Sequence, residues 1–199
     1  CSAGGIGGLT NYHPTRRDMA PTRSFLINDS GPAFSAPVGA DPQQYPSVLL
    51  QSFIRQSWGL DQPGGPLAYL KSGLPALNLN DLGSLYPALA TALPRDLNYS
   101  SYSYERFFPE IENAPDQATK EALLHQKWAV DTERLTQTLA GLDNFGYYLP
   151  MFRDVNESHC TSIIEFANSD IQELGLELGD FVNNVMNGSG AVMQVSEPD

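Results

Sequence analysis

Cys1-Ser2-Ala3-Gly4-Gly5 opens the chain and is the stretch on which the interpretation of the remaining sequence depends. A serine followed by small residues is typical of the sharp turn that joins a strand to a helix and exposes a reactive hydroxyl. Only small side chains fit beside the serine in such a turn. The spacing therefore predicts Ser2 as a nucleophile, and the backbone N–H of Ala3, at a helix N-terminus, as one oxyanion-hole donor.

The composition limits the classes of partner and cofactor. The chain has 199 residues, long enough for one domain, and a formal net charge of −12, which argues against nucleic-acid and anionic-membrane partners. It contains no run of about 18 apolar residues, so we expect no membrane-spanning segment. Its two cysteines, Cys1 and Cys160, cannot form a disulfide framework and give no metal signature, and we expect no cofactor.

The sequence also predicts a secreted protein of which this chain is one part. Asn-X-Ser/Thr sequons, which favour a secretory route, occur at Asn28, Asn98, Asn156 and Asn187. The chain lacks an initiator Met and opens inside a motif that needs an upstream strand. We therefore expect residues 1–190 to be the C-terminal part of a single domain, and residues 191–199 to be a partly disordered tail.

Apolar runs alternate with amphipathic segments along the chain. The predicted strands are 24–27, 97–104 and 144–149, and the predicted helices are 6–12 (ending near Pro14), 47–59, 82–93 (capped by Asn80-Asp81), 118–141 and 168–187. Strands that alternate with helices imply βαβ units and a parallel sheet. The predicted fold class is α/β, with a parallel sheet flanked by helices.

A reactive serine in such a fold needs a general base and a carboxylate. In α/β-hydrolases these follow the serine in the order acid, then histidine. His159 lies in the loop after the third predicted strand, the expected place for the base. The other two histidines fit less well, since His13 is predicted in an exposed turn and His125 inside a helix.

The identity of the acid stays open at this level. Glu105 stands at the end of the middle predicted strand, and it is the first choice for the acid that bonds the Nδ1 atom of the histidine. Asp29 follows the first predicted strand and is the second choice, although an Asp there could simply form a turn. Asp131 and Asp143 fall in or near a helix and fit less well.

Several of these motifs resemble the pectin acetylesterase and Notum-like carboxylesterase family. Cys1 to Gly5 is similar to its GCSAGG elbow, Ile27 to Gly31 to its strand ending in Asp-Ser-Gly, Tyr147 to Cys160 to its strand and histidine loop, and Asp180-Phe181-Val182 to its closing helix. The resemblance implies an α/β-hydrolase-like fold, secretion, and removal of acyl groups from oxygen, with Ser2 as nucleophile and His159 as base. The family's acid is an Asp after an aromatic residue, where this chain has Tyr102-Ser103-Tyr104-Glu105.

These observations predict a secreted serine carboxylesterase that cleaves a short acyl ester, on a carbohydrate or another neutral molecule. Pectin itself is a polyanion that a strongly acidic protein would repel. Because no Asp occupies the family's acid position, a binding protein without a complete triad is the alternative. A third hypothesis makes Cys1 an N-terminal nucleophile, which the alternation of helices and strands disfavours. The oligomeric state is not predicted.

Overall fold

The computed structural model describes residues 3–93, 97–101 (backbone only), 114–150, 171, 174–187 and 192–197. Within these ranges the helices are α1 Ala3–Met19, α2 Val48–Ser57, α3 Pro66–Gly73, α4 Leu85–Ala92, α5 Gln117–Leu139 and α6 Leu178–Asn187. The strands are β1 Phe25–Asp29, β2 Leu97–Ser101, β3 Phe145–Leu149 and β4 Gln194–Ser196, and a 3-10 turn at Leu82–Ser84 leads into α4.

The strands form one parallel sheet in the order β1-β2-β3-β4. Asp29 at the end of β1 pairs with Ser101 at the end of β2, and Ser101 pairs with Tyr148 near the end of β3. The carboxyl ends of these three strands therefore lie at the same edge of the sheet. The described residues thus combine helices with a small parallel sheet, as the alternating pattern predicted.

The chain divides into two compact units. The first, here called the sheet unit, comprises Cys1–Pro32, Leu89–Tyr104 and Leu139–Asp199, and it contains all four strands together with α1 and α6. The second, here called the helical unit, comprises Ala33–Ala88 and Glu105–Thr138, and it contains α2, α3 and most of α5.

Helix α6 supplies one side of the core of the sheet unit. Its apolar residues Leu178, Phe181 and Val185 are spaced three and four positions apart, so they share one face, and all three are buried. They pack in one cluster with Tyr148 and Ile171. The Tyr148 and Phe181 rings lie 5.5 Å apart between centroids, a distance typical of paired aromatic side chains.

Asp81 organises the start of α4 in the helical unit. Its carboxylate accepts hydrogen bonds from the backbone N–H of Gly83 (3.0 Å), from the backbone N–H of Ala36 (3.1 Å) and from the Ser35 hydroxyl (2.7 Å). The Asn80-Asp81 pair was predicted to cap this helix, and the Gly83 contact confirms the cap. The same carboxylate also fixes the segment at Ser35, which lies 46 residues earlier in the chain.

Helix α2 differs from its prediction in orientation. The sequence period suggested a helix with Val48, Leu49 and Phe53 among its apolar positions, and such a helix would normally bury that face. Helix α2 does bury Val48, but its other buried residues are the polar Gln51 and Arg55. Leu49 and Phe53 are 44% and 66% exposed.

Three boundaries also differ from the predictions. Helix α1 continues through Pro14, which is buried inside it, so packing compensates for the backbone hydrogen bond that proline removes. The closing helix begins at Leu178, because Gly175 adopts a left-handed conformation (φ +60°) that an α-helix cannot contain. Residues 168–170 and 172–173 of the predicted helix lie outside the described residues. In the predicted tail, Gln194–Ser196 form β4, which is too short for a visible alternation pattern.

Candidate functional site

The first turn of α1 packs directly on the turn that follows β1. Gly5 is buried there, and a Cβ atom on it would lie 2.4 Å from Asn28 Oδ1 and 2.9 Å from the Asp29 carbonyl oxygen. Gly31 faces the same contact from the other side, since its Cβ would lie 2.4 Å from the Ile6 nitrogen and 2.5 Å from the Gly5 carbonyl carbon. Only glycine fits at either position without movement of the backbone.

The turn Asn28–Gly31 is held by its own side chains. Asn28 is fully buried, and its Nδ2 donates a hydrogen bond of 2.8 Å to the Gly31 carbonyl oxygen. Ser30 has a positive φ of 54°, which is uncommon outside glycine, and its hydroxyl donates a bond of 2.9 Å to Asp29 Oδ1. Asp29 is also buried. Its carboxylate is therefore held by the Ser30 hydroxyl at the carboxyl end of β1.

The structure brings two of the predicted site residues to this place. Ala3 is the first residue of α1, so its backbone N–H lies at the positive end of a 17-residue helix. Asp29, the second-choice acid, lies in the turn against which that helix packs. The predicted nucleophile Ser2, the base His159 and the first-choice acid Glu105 lie outside the described residues.

The sheet topology brings the carboxyl ends of three strands to one edge beside this region. Strand β1 ends at Asp29, β2 ends opposite it at Ser101, and β3 ends at Leu149. In open parallel sheets, ligands bind beyond the carboxyl ends of the strands, where the connecting segments supply polar groups. A helix N-terminus and a buried carboxylate at this edge can respectively stabilise negative charge and orient a cationic or hydrogen-bonding group.

His13 was predicted in an exposed turn, but it lies inside α1 and is half-buried. Burial lowers the pKa of the His13 imidazole, and the positive charge of Arg17 lowers it further. His125 lies in α5, as its position in the predicted helix indicated.

Asn28 has a role that sequence reasoning missed. It belongs to a sequon, but it is fully buried in the turn after β1, so it cannot accept a glycan in the folded protein. Asn187, at the end of α6, is exposed. The Asn98 side chain and all of Asn156 lie outside what the structure describes. The signal that could have identified Asn28 is its place between an apolar strand and Asp-Ser-Gly, where a short polar side chain can bond its own turn.

The described residues show neither a metal site nor a membrane-spanning helix. In the part of the chain that the structure describes, no group of three or more His, Cys, Asp or Glu could hold a metal ion. None of the described helices has the length and apolar character needed to cross a bilayer. No family model, curated protein or solved structure matches this chain.

Proposed function

We propose that this chain carries the nucleophile and the base of a secreted serine carboxylesterase with an α/β-hydrolase-like fold. In this mechanism the Ser2 Oγ attacks the carbonyl carbon of the ester while His159 accepts the Ser2 proton. The Ala3 N–H stabilises the negative charge on the carbonyl oxygen. His159 then returns the proton to the departing alcohol, and a water molecule releases the acyl group from Ser2 by the same steps.

The close contact between Gly5 and the turn after β1 is the observation that carries the proposal. A reactive serine needs small residues after it because the helix that follows must approach the sheet closely. The helix after Ser2 approaches so closely that a single methyl group at Gly5 would overlap Asn28. The small residues that follow Ser2 in the sequence thus coincide with a tight contact in the fold.

Two carboxylates remain candidates for the residue that orients His159. Glu105 is proposed first because the acid usually follows the second strand after the nucleophile. Asp29 is proposed second because it is buried at the carboxyl end of β1, close to the first turn of α1. A Glu or Asp in this role bonds the Nδ1 atom of the histidine and stabilises the imidazolium that forms during the reaction.

The proposed substrate is a short acyl ester on a carbohydrate or another neutral molecule. A net charge of −12 disfavours polyanionic substrates and anionic membranes, and it leaves neutral esters as the better match. Secretion is proposed from the sequons at Asn98, Asn156 and Asn187, and the exposed Asn187 side chain is compatible with glycan attachment at that position.

Labelling with a fluorophosphonate probe tests the nucleophile. The natural polypeptide that contains these residues would be treated with the probe and digested, and the adduct located by mass spectrometry. We expect the adduct on Ser2 and its loss in Ser2→Ala, while Ser72→Ala, which removes an exposed serine, serves as the matched control. Absence of an adduct from the folded protein would reject the esterase and favour a binding protein without a working triad.

The same assay separates the two candidate acids. Loss of a catalytic carboxylate that orients histidine lowers the rate by up to about 10⁴-fold. We expect Glu105→Gln to slow labelling strongly and Asp29→Asn to leave it within about threefold. The reverse pattern would assign the role to Asp29. If neither change slowed labelling, both Glu105 and Asp29 would be excluded as the acid that orients His159.

A further inference from the structure

We draw no further inference here: the strongest candidate, the outward apolar surface patch formed by the exposed Leu49 and Phe53 of α2 and by Trp58 at its C-cap, carries nothing because nothing in the structure shows what covers it.

Discussion

Whether replacement of Gly5 by alanine stabilises or destabilises the protein depends on the contact between α1 and the turn after β1. Inside an ordinary helix, Gly→Ala stabilises a protein by about 0.5–1 kcal/mol, because glycine loses more conformational freedom on folding. At Gly5 the new Cβ would lie 2.4 Å from Asn28 Oδ1 and 2.9 Å from the Asp29 carbonyl oxygen. One of these neighbours is backbone and the other is a fully buried side chain, so neither can move freely.

The magnitude follows from the size of the overlap. Each contact is shorter than real Cβ contacts allow, so α1 or the turn must shift, and such overpacking costs about 1–3 kcal/mol. Subtracting the gain of about 0.5–1 kcal/mol from the helix leaves a net loss of up to about 2.5 kcal/mol for Gly5→Ala. Gly31→Ala should lose about 3 kcal/mol, because the three atoms nearest its Cβ, at 2.4–2.6 Å, all belong to the backbone.

Gly7 provides the matched control two residues along the same helix. Apart from its chain neighbours and the backbone of α1 itself, no atom lies within 4 Å of a Cβ at Gly7, so Gly7→Ala should gain about 0.5–1 kcal/mol. Urea unfolding of the three variants gives the free energies directly. A gain at Gly5 equal to the gain at Gly7 would refute the close packing of α1 on the turn after β1.

The remaining predictions concern hydrogen bonds in the two units. Asp81→Ala removes the carboxylate that accepts from three donors, including the cap before α4. The free energy of unfolding, measured by urea titration, should fall by about 2–4 kcal/mol. A loss under about 1 kcal/mol would contradict the central role of Asp81. Tyr148→Phe removes the 3.0 Å hydrogen bond to the Leu176 carbonyl oxygen but keeps the buried ring. Thermal unfolding should therefore show a free energy of unfolding lower by about 1 kcal/mol. An unchanged free energy would mean that this hydrogen bond does not stabilise the fold.

Much of the fold could be predicted from local patterns. The three longer strands, the Asp81 cap and the long helix α5 each had a period or a terminal signal in the sequence, and all are present. The inverted orientation of α2 had no such signal. At its start, the Ser47 hydroxyl bonds Asp131, 84 positions away, and the buried Gln51 bonds the Phe34 carbonyl oxygen, 17 positions away, so a window of neighbouring residues does not contain these partners.

The candidate site shows the same division between local and distant causes. The run of small residues after Ser2 predicted that a helix would begin there, and α1 does include the glycines of that run. The partner of Gly5 could not be predicted, because the contact joins Gly5 to the Asn28–Gly31 turn across the fold. Because the sequence does not show this contact, Asn28 was interpreted as part of a sequon, although its amide donates the hydrogen bond that closes a buried turn.

Asp29 illustrates why position alone does not assign a catalytic acid. Its carboxylate accepts the Ser30 hydroxyl in a turn that contains a residue with positive φ, and burial of such a group is costly unless it is bonded. This bond would be needed whether Asp29 serves the turn or also orients a histidine. Asparagine at this position can still accept from Ser30 but carries no charge. Since Asp29→Asn keeps an oxygen that can accept from Ser30 and removes the charge, a change in labelling rate without a change in stability would arise from the chemistry of the site and not from its folding.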